Sequence, residues 1–350
     1  MKYIGNKTRL LGFIDDSLQK SGISQKGVFA DLFSGTTSVG EYYKKLGFTI
    51  ISNDFMTYSY VLQKAYIESN EIPKFEELTK YLGLSKKVSG LENVLEKLNT
   101  MIGQRGYFAE NYGFAGSEKR MYFTTENAQL VDSIREQIQE WELLKIINQN
   151  EKYYLLAILI DAVDHVANMS GTYGAYLKIW RSVALKRLLL KKRQIVNNSK
   201  VNTVYKLPAE ELIKSITGDI LYLDPPYNSR QYAPNFHVLE SLAVWDKQPL
   251  VGKTGLRDYS KQKSSFSSKR TAPKALRSIV EAAQFPVIAL SYNNEGIISH
   301  SDIEGILSSY GKVTMFTTDY RRFRTERDHA SRKYKEVDDR TKEYLFVLKK

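Results

Sequence analysis

Cysteine is absent from this chain of 350 residues. That excludes disulfides, thiolate metal sites and a cysteine nucleophile. Histidine is scarce: His165, His237, His300 and His329 are scattered without ligand spacing, so no metal is expected. No apolar run approaches the ~18 residues of a membrane span. The opening stretch MKYIGNKTRLLGFID lacks the apolar core of a signal peptide. The expectation is a cytoplasmic protein without a membrane partner. Internal repeats and low-complexity tracts are missing too. Acidic charge is in the minority, 39 Asp and Glu against 51 Lys and Arg, for a net charge of +12. A basic excess of that size suits a polyanion, nucleic acid first, although a merely soluble basic protein remains an alternative. Aromatics are plentiful, with 24 tyrosines, and suit base stacking. The length exceeds one minimal core and points to a large domain with an insertion, or to two domains.

The chain is organised around Gly218 to Glu240, GDILYLDPPYNSRQYAPNFHVLE. Ile220, Leu221, Tyr222 and Leu223 form a short apolar run, which reads as a buried strand. Asp224 closes it, and Pro225 and Pro226 lack the N–H that a ladder needs, so the strand stops there. Each proline also has a fixed φ. The outcome is a stiff elbow at the C-terminal end of a strand, the edge where open α/β sheets bind ligands. The plain alternative is a strand stop followed by a surface tyrosine.

Val28 to Gly40, VFADLFSGTTSVG, reads as a strand entering a small-residue turn and then a helix from Val39 to Leu46. That is the opening of a nucleotide-binding βαβ unit. Gly35 lets a ligand approach the backbone closely. A second strand, Phe48 to Ser52, ends at Asn53-Asp54, which places Asp54 to accept from ribose hydroxyls. A solvated loop aspartate is the alternative. Residues 57–150 carry helical patterns at Phe75–Leu82, Leu91–Ile102 and Asn127–Ile147, and read as a mainly helical insertion. Tyr153–Asn168 reads as an apolar helix with His165 as a core or interface residue, and Trp180–Asn197 as a basic helix. Asn228–His237 reads as a polar, aromatic loop. Pro286–Tyr292, Lys312–Thr317 and Glu343–Leu348 read as strands, and Tyr320–Lys335 as an arginine-rich loop placed for phosphate contact, with a solvated charge run as the alternative.

Asp224-Pro225-Pro226-Tyr227 resembles the catalytic tetrapeptide of the amino-methyltransferases, which methylate exocyclic nitrogens with S-adenosylmethionine. The residue types suit that chemistry. An exocyclic amine is a poor nucleophile because its lone pair is delocalised into the ring. Asp224 and a carbonyl of the Pro-Pro segment can hold its two N–H groups and free the lone pair, while Tyr227 offers a stacking face. The segment KYIGNKTR resembles the N-terminal motif of Dam-related adenine-N6 methyltransferases of the D12 class and restriction-modification type. Asn168–Lys178, NMSGTYGAYLK, resembles an element of the same enzymes that lies against active site and DNA. The run after the tetrapeptide, NSRQY, resembles that of a restriction-modification subgroup.

This resemblance implies an α/β, Rossmann-like methyltransferase sheet with a mainly helical insertion. The parts are a cofactor part at residues 1–56, a candidate target-recognition insertion at 57–150, and the tetrapeptide with the C-terminal strands at 151–350. It implies catalytic roles for Asp224, Pro225, Pro226 and Tyr227. Cofactor contacts fall to Tyr3, Lys7, Asp31, Phe33, Gly35, Asp54 and Asp224, and DNA contacts to Lys178, Arg230, Tyr232 and Asn235, beside the phosphate contacts that the arginine run itself suggests at Arg321, Arg322 and Arg324. It also implies duplex DNA as substrate and a cognate restriction endonuclease encoded alongside. Thr36 and Thr37 depart from the family's glycine-richer loop. Pro208 stands where the family often has an acid near the cofactor's adenine ring, so no residue is assigned there. Methylation of cytosine N4 or of RNA is the nearest alternative, although related cytosine enzymes usually have serine in place of Asp224. A protein-glutamine methyltransferase would more often carry asparagine there. A basic DNA-binding protein without catalysis is the alternative from another class.

Overall fold

The computed structural model describes residues 6–24, 26–84, 89–229, 231–321 and 340–350, with Arg321 and Arg340 described by backbone alone. Tyr3, Arg230, Arg322 and Arg324 lie outside the described residues, as does the arginine-rich segment beyond Arg321.

In chain order the elements begin with α1 (Leu11–Lys20), β1 (Val28–Asp31), α2 (Ser38–Lys45), β2 (Thr49–Asn53) and α3 (Thr57–Gln63). Then come α4 (Glu76–Tyr81), α5 (Gly90–Asn99), α6 (Tyr107–Tyr112), α7 (Thr125–Leu143) and α8 (Gln149–Val166). They continue with β3 (Thr203–Tyr205), α9 (Ala209–Leu212), β4 (Ile220–Leu223), α10 (Tyr232–Val244) and α11 (Ala272–Ala282). The last are β5 (Val287–Asn293), α12 (His300–Ser308), β6 (Lys312–Arg321) and β7 (Arg340–Lys349). These fall into two compact units. The sheet unit takes the chain up to Phe55, then Asn198–Tyr232 and Ser260–Lys350, and the helical unit takes Met56–Asn197 and Ala233–Tyr259.

The sheet has seven strands in the order β3-β2-β1-β4-β5-β7-β6. The first five run parallel, and β7 is antiparallel to both β5 and β6. The expected strands at 28–30, 48–52, 220–223, 286–292, 312–317 and 343–348 are all present, within two residues at most bounds but with β6 and β7 running further than expected at one end. Parallel strands are covered on both faces, so they read as continuous apolar runs rather than alternations; all four residues of β4 and all seven of β5 are buried. Leu221, Leu223, Ile288, Leu290, Leu276, Ile279, Ile303, Leu307, Phe346 and Leu348 form one cluster in which strands meet α11 and α12. The chain leaves β1 toward β2 on one side and β4 toward β5 on the other. The gap between β1 and β4 is therefore the topological switch point, where a crevice opens at the strand C-termini.

In the helical unit α4, α5, α7 and α8 stand where periodicity puts them. Their starts are capped: Ser89 accepts from Glu92 N, Thr124 from Asn127 N, and Asn148 with Glu151 forms a reciprocal capping box.

Three expectations fail. Trp180–Asn197 is not a helix. Leu188 and Leu190 are buried while Leu189 is 46% exposed, the period-two alternation of an extended chain. Its backbone bonds to side chains instead of a neighbouring strand. Asn127 donates to Lys186 O (2.8 Å) and accepts from Leu188 N (2.8 Å). Asn99 donates to Leu190 O (3.0 Å) and accepts from Leu190 N (2.8 Å). The Tyr154 hydroxyl donates to Arg193 O (2.8 Å) and accepts from Arg193 N (3.1 Å). Second, the loop expected over Asn228–His237 becomes helical at Tyr232. Pro234 falls in the first turn, where its missing N–H costs nothing, and the helix is interrupted at Phe236. Third, of the core or interface reading of His165, the core half fails: the residue is exposed.

Candidate active site

Three carboxylates stand at or just beyond the C-terminal ends of adjacent strands: Asp31 on β1, Asp54 after β2 and Asp224 after β4. Asp31 and Asp224 flank the switch point. Asp31 Oδ1 accepts from Phe33 N (3.3 Å), and Ser34 Oγ lies 2.6 Å from Ser52 Oγ, stitching the turn after β1 to β2. Gly35 adopts φ +50°, a conformation that favours glycine. Its N–H donates to Asp54 Oδ2 at 2.8 Å. Thr37, one of the two departures from a glycine-rich loop, also has positive φ (69°) and precedes α2.

Burial, with the negative charges of Asp224 and Asp54 nearby, raises the Asp31 carboxyl to about 8. Burial likewise raises Asp224 to about 6, against the lowering influence of Lys7. Asp31 and Asp224, both held above the ordinary carboxylate range, are short of positive charge, which fits a cationic ligand.

Lys7 supplies one cation. It is 3% exposed; its Nζ lies 3.3 Å from Asp224 Oδ1 and 3.2 Å from Glu343 Oε2. It also lies 5.5 Å from the centroid of the Tyr227 ring. Its ammonium is held well above the ordinary lysine value: burial opposes the charge, but Asp224, Tyr227 and Glu343 outweigh it. The contact to Glu343 is a hydrogen bond. The contact to Asp224 Oδ1 is the less well aligned of the two, an ion pair whose hydrogen-bonding pull still lowers the carboxyl, so this buried oxygen is left only partly satisfied.

The elbow after β4 is pinned. The Tyr227 carbonyl accepts from Ile297 N at 2.9 Å, and its ring meets that of Tyr292 edge-on, centroids 5.9 Å apart. Tyr292 in turn accepts from Ile298 N at 3.0 Å, and Gly296 lies so close that a Cβ there would stand 1.9 Å from the Tyr292 ring. Burial lifts the Tyr227 hydroxyl to about 12. Phe33 meets Phe266 edge-on at 5.3 Å. Tyr232 belongs to the same unit, with its hydroxyl raised by burial and by the neighbouring Tyr227 and Asp224.

Asp31, Lys7, Asp224, Tyr227 and Tyr232 are thus one electrostatic neighbourhood, with Gly35 and Asp54 beside it. Lys178 and Asn235 belong to the helical unit. Lys178 is exposed, and Asn235 O accepts from Tyr173 N at 2.7 Å. Within that same loop the buried Asn168 ties down the chain through Met121 O and Leu177 O, both 3.0 Å away.

Glu343 is the site residue that sequence reasoning missed. It shares a face of β7 with the buried Leu345 and Val347, so an acid sat on a core face and required a partner. Among the described residues no group of three or more histidine and carboxylate side chains could hold a metal. No helix among them is long and apolar enough to cross a membrane.

The family model for D12 class N6 adenine-specific DNA methyltransferases matches residues 3–306. The Type II methyltransferase M.FokI of Planomicrobium okeanokoites is 41% identical over the whole chain, which spans 53% of that relative. The Type II methyltransferase M.NlaIII of Neisseria lactamica is 37% identical over the whole chain and 99% of the relative. The modification methylase StsI of Streptococcus sanguinis is 38% identical over 93% of the chain and 49% of its own length. The chain therefore spans about half of two of these curated relatives and nearly all of the third.

Proposed function

The chain belongs to the D12 class N6 adenine-specific DNA methyltransferase family, and on that premise we propose that it transfers a methyl group from S-adenosylmethionine to adenine N6 in duplex DNA. The observation that carries the reading is the Asp224 carboxylate. It follows β4 at the switch point and keeps a buried, only partly satisfied oxygen 3.3 Å from the Lys7 ammonium.

The cofactor, when bound, supplies a methyl group made electrophilic by a positively charged sulfur. Asp54 and Asp224 suit that charge, as does Asp31 once a cationic ligand draws off its proton, and the Gly35 turn suits close approach of the ligand to backbone. Tyr3, Lys7, Phe33 and Asp54 complete the proposed cofactor contacts, Asp54 toward ribose hydroxyls. Because N6 is paired inside the duplex, the adenine must be extruded before it can react. Tyr227 then stacks on the base, while Asp224 and a carbonyl of Pro225 or Pro226 accept from the amino group. A cofactor held by these residues would give its methyl to the N6 lone pair, its sulfur keeping the bonding pair and N6 losing a proton to solvent. Asp224 is the stronger acceptor when ionised and gains an opposing O–H when protonated, so kcat/KM falls below about pH 6, the value to which burial raises it.

Lys178, Arg230, Tyr232, Asn235, Arg321, Arg322 and Arg324 are the proposed DNA contacts, with residues 57–150 as the target-recognition region. The net charge of +12 makes binding steeply salt-dependent. The setting is the cytoplasm, protecting sites against a cognate restriction endonuclease encoded alongside. The test is to incubate the protein with S-adenosylmethionine and unmethylated genomic DNA, digest to nucleosides and analyse by mass spectrometry. N6-methyldeoxyadenosine is expected; N4-methyldeoxycytidine alone, or no methylated base, contradicts the reading.

A further inference from the structure

The reaction just described uses three aspartates and leaves a neighbouring buried acid, Glu343, idle. Glu343 lies in β7 opposite Asn293 on one side and Thr318 on the other. It is 4% exposed. One ammonium, Lys7, is shared between this carboxylate at 3.2 Å and Asp224 at 3.3 Å. A single positive charge serves two negative ones, so the trio retains one net negative charge. The sharing is also unequal in alignment: the Lys7 N–H makes a well-formed hydrogen bond to Glu343, while its pull on Asp224 Oδ1 comes from a poorer angle.

We infer that Glu343 is a positioning residue for methyl transfer: by taking the hydrogen bond of the Lys7 ammonium, it leaves Asp224 Oδ1 open to the amino group being methylated. It acts through Lys7 and does not touch substrate. Without it the ammonium turns onto Asp224 and competes with the incoming amine. The inference rests on the adenine-N6 reading for what Asp224 accepts, while the electrostatic link itself is independent of it.

The groups acting on Asp224 and Lys7 come from several elements. Glu343 raises the Asp224 carboxyl and Lys7 lowers it. Tyr222 of β4, Tyr227 of the elbow and Tyr232 at the start of α10 feel Asp224, and burial keeps all three hydroxyls above their ordinary value. Asp31 of β1 feels Asp224 and titrates in the same range. Asp54 acts on Asp31 and on Tyr232, and Tyr320 of β6 acts on Tyr227.

The test has two readouts on the full chain. The first is the pH profile of kcat/KM for tritiated-methyl transfer to unmethylated genomic DNA. Glu343→Gln removes one negative charge, so the acid limb moves to lower pH by roughly one unit. Its plateau kcat drops several-fold because Lys7 now bonds to Asp224, with KM for DNA little changed. Glu343→Asp keeps the charge but shortens the reach to Lys7, so the limb stays in place while kcat falls. A limb that does not move in Glu343→Gln, or wild-type kcat in Glu343→Asp, overturns the inference. The Asp variant decides alone should the Gln variant fail to fold. The second readout is the titration of Asp224 by 13C NMR with labelled aspartate, assigned through Asp224→Asn so that Asp31 is not mistaken for it. A downward shift in Glu343→Gln is expected and an unchanged midpoint contradicts it. If the wild type makes no N6-methyladenine, the proposed function fails, and this titration still settles the role of Glu343.

Discussion

The two units hold their irregular backbone by different means. In the sheet unit the turns beyond β1 and β4 are held by backbone-to-backbone contacts: Ser34 N to the Asn53 carbonyl at the end of β2, and Ile297 N to the Tyr227 carbonyl, both at 2.9 Å. In the helical unit long stretches without regular structure are fixed by single buried side chains from distant helices. Glu240 of α10 accepts from Thr57 N and Tyr58 N, both at 3.0 Å, and so caps α3. Asp132 of α7 accepts from Gly106 N, Phe108 N and Ala109 N at 3.1, 2.8 and 2.7 Å and caps α6. Asn99, Asn127 and Tyr154 stand in for a strand along 186–193. The lesson is that a sheet spreads the task of satisfying buried backbone groups over a ladder, whereas the helical unit concentrates it in a few polar residues. Single substitutions should therefore hurt the fold of the helical unit more and the chemistry of the sheet unit more.

That contrast can be broken or sharpened. The largest stability loss is expected for Glu240→Ala, which strands two buried N–H groups at the start of α3. Hydrogen bonds to a charged group are worth ~1.5–3 kcal/mol each. The combined loss should exceed about 2 kcal/mol in a urea titration, and a loss below ~0.5 kcal/mol would erase the contrast. Asn127→Ala comes next, at about 1–3 kcal/mol, because Lys186 O and Leu188 N lose their partner. Wild-type unfolding would mean that the 186–193 stretch is satisfied some other way.

Asp31 gives a pH test in the sheet unit. Its carboxyl is raised to about 8 in the folded chain, so the folded state holds a proton that the unfolded chain releases near ~3.9. Its contribution to stability is complete below the unfolded value and is lost as pH climbs toward 8. Asp132, Asp164 and Asp224 act in the same direction with smaller shifts, and His237, lowered to about 4, acts oppositely. Asp31→Asn should flatten the decline between about pH 4 and 8 relative to wild type. An identical slope would mean that Asp31 is already ionised in the fold. The smallest stability effect is expected for Tyr227→Phe. Its ring contacts with Tyr292 and Lys7 do not involve the hydroxyl, so stability should change by less than about 0.5 kcal/mol and most methyl transfer should survive. Loss of activity as complete as in Tyr227→Ala would give the hydroxyl a chemical role.

The same contrast explains what the sequence makes legible. Strands β1, β2 and β4 announce themselves because an apolar run ending in an acid, a glycine turn or two prolines is a local pattern. Asp31, Asp54 and Asp224 could be placed from it. Helices α4, α5, α7 and α8 show in their spacing. The 180–197 segment misleads because Leu188, Leu189 and Leu190 in a basic context fit a helical face as well as an alternation. What decides is Asn99, Asn127 and Tyr154, residues up to 91 positions away. Glu343 escapes for a related reason: its partner Lys7 is 336 positions distant, and a lone acid at the start of a strand looks like an exposed end.

The central claim is that a carboxylate at the end of β4 performs the chemistry while the fold stands without it. It is tested most directly by Asp224→Ala, assayed for tritiated-methyl transfer to unmethylated genomic DNA beside a urea titration and calorimetry with S-adenosylmethionine. The account predicts a cooperative native transition and methyl transfer reduced by about 10²-fold or more. Transfer at the wild-type rate in a folded Asp224→Ala protein would contradict it.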